Sequence, residues 1–311
     1  MKWLRTTTLA FVVWAGFMAK DTNASGTFSI EKDKDGFVYL LEEGKPVFRY
    51  VTGEMLKDGV PEDRRRSTYI HPLYGLDGSV LTDDFPEDHY HHRGVSWMWM
   101  TVTFDGVTKD LWTLKGLRQR YLSHTSVIRP DRAVLNFENA WIEDSTGRRI
   151  LDETLHITTH KATETGRAID FRIRLAAVDT PVTLATSATG YSGFGVRVAP
   201  REDAVITSSN GHIPGDQSNV RHTWADFSAR FEGKPQAEGV TIFQHRVNPY
   251  YPDGWTLRYY GYLSPNFTNQ ADGYTIAPGK PLTLRFRLWV HKGQADPDTF
   301  EKMLMNYHRG L

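Results

Sequence analysis

The densest run of chemically capable side chains in the sequence is Asp88-His89-Tyr90-His91-His92-Arg93-Gly94. Arg64, Arg65 and Arg66 precede it, as do His71 and Tyr74, and four of the chain's 12 histidines fall in the stretch that starts at His71 and ends at His92. Imidazoles titrate near neutrality, so they can take and return protons, and they can also bind metals. Arg66 and Arg93 would bring fixed positive charge to the same loop, suited to a carboxylate, a phosphate or a developing oxyanion. Acid–base work by His71, His91 and His92, with Arg66 and Arg93 holding substrate, is the expectation. A metal site is not expected: in an extended stretch His89 and His91 share a face while His92 points away, and the chain has no cysteine. For each histidine the competing reading is a hydrogen-bonded side chain that ties strands together.

A second constellation is Phe243-Gln244-His245-Arg246-Val247-Asn248-Pro249, followed by Trp255 and by Tyr259, Tyr260 and Tyr262. Aromatic faces stack on the C–H groups of sugars while amides and guanidinia bond hydroxyls. His245 joins the catalytic candidates on this ground, and Asn248, Trp255 and Tyr262 join the substrate-binding ones. Tyr259 and Tyr260 cannot both face inward from a strand. Glycoside hydrolysis uses paired carboxylates, for which Glu54, Glu87, Asp88, Glu153, Asp170 and Asp226 are available. Asp226 ranks first because it lies beside Trp224, a further stacking candidate, in the irregular stretch 208–235. The glycine-dense run 190–195 opens no helix and there is no Gly-x-Ser-x-Gly elbow, so neither a nucleotide nor another cofactor is expected.

Alternating strands must hold these groups. Ile169, Phe171, Ile173 and Leu175 alternate with Asp170, Arg172 and Arg174, so one face packs while the other is wet or lines a cleft. Leu282, Leu284, Phe286, Leu288 and Val290 repeat the pattern, and a third strand is expected to put Met98, Met100, Val102 and Phe104 on one face with Trp97 and Trp99 on the other. Only the end of the chain reads as a helix: Asp296 caps it, Pro297 takes the first position, and Phe300, Met303, Leu304 and Tyr307 follow at helical spacing. The fold class expected is all-β, a large antiparallel β-sandwich closed by a short C-terminal helix. The long polar stretch 61–95 then stands out as functional loop.

Lys plus Arg and Asp plus Glu both number 37, which leaves no field to attract nucleic acid. Residues 1–24 have the parts of a secretory leader: Lys2 and Arg5, an apolar run over 9–19, and cleavage after Ala24. That run is shorter than the roughly 20 residues a membrane span requires. A periplasmic or secreted protein is expected, with residues 25–311 forming one domain.

The string HPLYGLDGSVLTDDFPEDHYHHRGVSW over 71–97 resembles the PmoA-like bacterial family, a domain of unknown function that carries a methane-oxygenase label. GYSGFGVRV from Gly190, TIFQHRVNP from Thr241 and LRFRLWVHKG from Leu284 extend the resemblance over nearly all of residues 25–311. It implies a supersandwich like those of sugar mutarotases and a role in saccharide breakdown. An oxygenase would need a copper-type or facial-triad ligand set, which the sequence does not present. The function expected is cleavage of a glycoside or oligosaccharide, by hydrolysis or β-elimination, with a saccharide as the partner. The alternatives are a carbohydrate-binding protein without turnover and a metal-dependent hydrolase.

Overall fold

A computed structural model describes residues 27–187, 190–268 and 272–310. The leader and its expected cleavage site lie outside the described residues. The alternation read along the chain becomes paired register: on the strands Gly166–Ala177 and Leu282–Lys292, Ile173 lies opposite Leu284, Phe171 opposite Phe286 and Ile169 opposite Leu288. All of these face inward, and Asp170, Arg172, Arg285 and Arg287 therefore face out.

Two nine-stranded sheets are stacked. The first runs from Phe28–Lys32 through Tyr69–Leu73, Val95–Trp99, Ser192–Arg197, Tyr262–Pro265 and Gly254–Arg258 to Gln217–Arg221. The second runs from Gly211–Ile213 through Trp224–Phe231, Ala237–Gln244, Leu282–Lys292, Gly166–Ala177 and Arg149–His160 to Leu117–Ile128. Neighbouring strands are antiparallel, as hairpin connections allow. Between the sheets Phe194 of the first stacks on Phe286 of the second at 4.6 Å and lies 5.1 Å from Phe171. Each such buried aromatic is worth about 1.5–3 kcal/mol in area removed from water.

The run from Trp97 to Phe104 departs from the single strand expected. Val95–Trp99 belongs to the first sheet, the chain bends at Met100, and Thr101–Phe104 joins a separate four-stranded sheet with Val182–Ala185, Tyr274–Ile276 and Val107–Lys109. The bend resets the alternation, so Trp97, Trp99, Val102 and Phe104 all enter the same core while Met98 points to the other side.

The helix Pro297–Arg309 forms where expected, with the Asp296 carboxylate accepting from the Thr299 amide and hydroxyl and Gly310 closing it at φ 79°. Phe300, Leu304 and Tyr307 bury its apolar face on Trp224 and Phe243. It thereby covers part of the outer face of the second sheet. No helix among the described residues is long and apolar enough to cross a membrane.

Candidate functional site

The segment from Phe85 to Gly94 is held by its own arginine. Arg93 is fully buried, lies 3.5 Å above the Phe85 ring, and donates to the carbonyls of His92 at 2.8 Å, Arg64 at 2.6 Å and Tyr90. Gly94 is required because a Cβ there would collide with the Ile70 carbonyl. Arg66, also buried, donates to the carbonyls of Leu111 and Trp112 and so fixes the turn that carries Trp112. Burial first, and then Arg93 nearby, lowers the Arg66 pKa to about 9. Both guanidinia are spent on backbone, so the expectation that they hold substrate gives way to one in which they hold the loop.

That loop packs its imidazoles into a bowl on the outer face of the first sheet. The rings of His91 and His92 lie 4.8 Å apart, those of His89 and His92 4.9 Å and those of His89 and His91 5.6 Å. His89 stacks on Tyr260 at 5.2 Å, and His92 meets Tyr262 at 4.9 Å and Trp112 at 5.7 Å edge to face. Tyr262, Met98 and Arg197 line this face because Leu263, Trp97 and Val196 beside them point into the core. The glycines of 190–195 have a use here: a Cβ on Gly195 would strike the Tyr262 hydroxyl, and Gly193 has φ +83°. Arg197 lies 4.9 Å from the centre of the Tyr260 ring and 3.1 Å from the Asp88 carboxylate, which also binds His89 at 2.7 Å.

Burial, with neighbouring histidines and arginines after it, favours the neutral form of the His91 and His92 imidazoles. His91 is lowered to about 4 by burial, His89 and Arg64, and His92 falls well below its ordinary value through burial, His91 and Arg197. His92 Nδ1, Trp112 Nε1 and Arg197 Nη1 are buried without a hydrogen-bond partner among the described residues. Buried polar atoms of that kind call for a partner, such as an ordered water or a ligand. No group of three or more His, Asp or Glu side chains among the described residues is arranged to hold a metal.

His71 stays beside the loop, its Cβ close to Gly94, while the other candidates are elsewhere. His71 lies on Tyr69–Leu73, its Nδ1 3.1 Å from the Thr82 hydroxyl, and burial together with Arg49 lowers it to about 3. Trp255 is fully buried in the core between the sheets, donating to the His222 carbonyl at 2.7 Å. Trp224 is buried beneath the helix and bonds Glu301 at 2.7 Å. Neither indole has a face open for stacking on a sugar. Asp226, fully buried, accepts from Ser228 at 2.6 Å, Thr241 at 2.8 Å and His291 at 2.8 Å. It is a structural junction that ties three donors together. Asn248 is closed into paired hydrogen bonds with the Arg285 backbone, at 2.8 and 2.7 Å.

His245 packs on Tyr307 at 4.8 Å and borders a cleft of about 380 Å³ on the outer face of the second sheet. The single cleft expected to unite His71 and the 91–93 segment with His245 and Asn248 is therefore not formed, because the whole core separates the two outer faces. A larger cavity of about 530 Å³ has three of its four cations paired, Arg167 with Glu42, Lys292 with Asp77 and Lys161 with Glu43. Trp112, Tyr191 and Arg197 went unnoticed in the sequence. Trp112 carries no local signal, whereas Arg197 follows Phe194 and Val196 at the outward parity.

A solved structure, the crystal structure of the GalM/aldose epimerase homologue from C. elegans, resembles this chain at 10% identity with a TM-score of 0.37, covering 86% of this chain and 99% of that one. No curated protein matches the sequence. The family model described as "Family of unknown function (DUF6807)" matches residues 38–305, and the chain belongs to that family.

Proposed function

We propose that the protein is an exported carbohydrate-active enzyme whose histidine bowl breaks a glycosidic linkage by proton transfer, through β-elimination rather than hydrolysis. The observation that carries this reading is the pair His91 and His92: both imidazoles are held neutral, and neither ring has a hydrogen bond to a protein group among the described residues, beside a buried Arg197 with an unpartnered Nη1. A histidine lowered to about 4 is rarely protonated at neutral pH, so it is a poor general acid for hydrolysis and is free to act as a base. Of the nearby carboxylates, Asp88 is engaged by His89 and Arg197 and Asp83 lies 3.9 Å from Arg197, which leaves no free pair among the described residues for the hydrolytic mechanism.

In the elimination, His92 or His91 takes the proton on the carbon next to a uronate carboxylate. The electron pair moves onto the carboxylate as an enolate facing Arg197, then forms the ring double bond as the neighbouring C–O bond breaks. The departing oxygen takes a proton from the Tyr262 or Tyr260 hydroxyl. A bound carboxylate also offsets the charged neighbours that lower the imidazoles second to burial, and so raises their basicity. Export rests on the basic and apolar pattern of residues 1–24.

The test is a panel of glycosides and uronate-containing oligosaccharides, read for new reducing ends and for the absorbance of unsaturated products. Unsaturated product supports the reading, and reducing ends without it reject elimination in favour of hydrolysis. Binding without either product rejects catalysis and leaves a carbohydrate-binding protein.

A further inference from the structure

The cleft on the second sheet contains an unusual ladder. At one step Asp170 stands opposite Arg287, and the two form a bidentate pair at 2.6 and 2.9 Å that His160 joins at 2.9 Å. At the adjacent outward step Arg172 stands opposite Arg285. Among the described residues neither of these guanidinia has an ion-pair or hydrogen-bond partner. Like charges directly opposite on neighbouring strands are destabilising. One step of the ladder thus satisfies the rule and the next breaks it.

The broken step faces the cavity of about 380 Å³, within the range that takes small ligands. Arg287 lies 4.6 Å over the Tyr307 ring, His245 stands edge-on to that ring, and His156 closes the other side with its Nδ1 bonded to Asn136. An Nδ1 that donates to the Asn136 carbonyl leaves the His156 Nε2 as an acceptor for a hydroxyl group. The lining therefore offers two free guanidinium forks, a hydroxyl acceptor and an aromatic wall.

We propose that this cleft is a binding site for a sugar-sized ligand bearing an oxyanion, the carboxylate or sulfate of an acidic saccharide, gripped between Arg172 and Arg285. Two forks converging on one oxyanion convert a repulsive pair into charge-assisted hydrogen bonds. The site lies on the face opposite the histidine bowl and does not depend on the reading of that bowl.

The experiment is calorimetric titration of the full chain with glucuronate, with glucose as the neutral control and inorganic sulfate as the bare oxyanion. Glucuronate is expected to bind at least about tenfold more tightly than glucose, about 1.4 kcal/mol. Arg172→Ala with Arg285→Ala should abolish that preference. Sulfate competing as strongly as glucuronate binds would identify a free-anion site and reject the saccharide. Equal binding of glucuronate and glucose, or a preference that survives in the double variant, overturns the proposal, as does binding of none of the three. Arg172→Glu guards against a folding artefact: it should form an ion pair with Arg285, melt no lower than the parent, and still lose the glucuronate preference.

Discussion

His92 meets Tyr262 edge to face, ring centroids 4.9 Å apart and planes inclined at 69°, so an imidazole from a loop is fixed against a side chain from the sheet. The loop is pinned by Arg93 and the tyrosine by the close approach of Gly195. An imidazole held this way would pay little entropy as the proposed base.

Replacing His92 by Ala is expected to lower kcat on the saccharide cleaved in the panel by about 10²- to 10⁴-fold, roughly 3–5 kcal/mol of barrier. KM should change little, and thermal melting should stay near the parent's. Parallel loss of melting temperature and activity would make His92 a packing residue instead. Tyr262→Phe should lower kcat while preserving the ring contact, and full turnover in that variant would exclude its hydroxyl as the proton donor.

Gly195→Ala puts a methyl group against the Tyr262 hydroxyl. Overpacking of this kind costs about 1–3 kcal/mol. Combining it with Tyr262→Phe should recover part of the loss, giving a coupling energy on the order of 0.5–3 kcal/mol in urea unfolding. Strict additivity of the two substitutions would show that the collision is relieved elsewhere.

Acid should destabilise the fold through its buried histidines. His71 is lowered to about 3, and His91 and His245 to about 4, each first by burial. The unfolded chain binds protons below about pH 6.5 that the folded chain refuses, so stability falls as pH drops from about 6.5 toward 4. Each histidine contributes at most about 1.4 kcal/mol per pH unit over its window. Melting temperatures across that range should decline, and His71→Gln should flatten the decline. An unchanged slope in the variant would mean that His71 is already protonated in the folded protein.

Asp226→Asn should cost stability and spare catalysis. The carboxylate accepts from three donors in a fully buried position, and breaking such a network costs about 3–5 kcal/mol. Burial lowers His291, but Asp226 beside it outweighs that and raises it overall. The stability from this pair is therefore present below the unfolded histidine's pKa and lost as pH rises through the folded value. Turnover per folded molecule should match the parent's when active sites are normalised by circular dichroism. A loss of kcat without a loss of stability would return Asp226 to the reaction.

The alternation of Ile169, Phe171 and Ile173 with Asp170 and Arg172 determined, from the sequence alone, which side of that strand is core and which is open, because side-chain direction follows a period of two. The Asp296-Pro297 start of the helix was equally legible, since capping depends on a few adjacent residues. The density of titratable groups around His92 was visible as composition. Tertiary structure alone decided that Trp224 and Trp255 are enclosed, that Arg66 and Arg93 bond backbone, and that His245 lies across the core from His92. Each of these depends on which strand comes to lie beside which, and on the bend at Met100 that sends one alternating run into two sheets. Residues near in sequence share a local geometry that periodicity reports. The partners of a buried guanidinium or indole come from strands distant in the chain, and only the packing of those strands selects them.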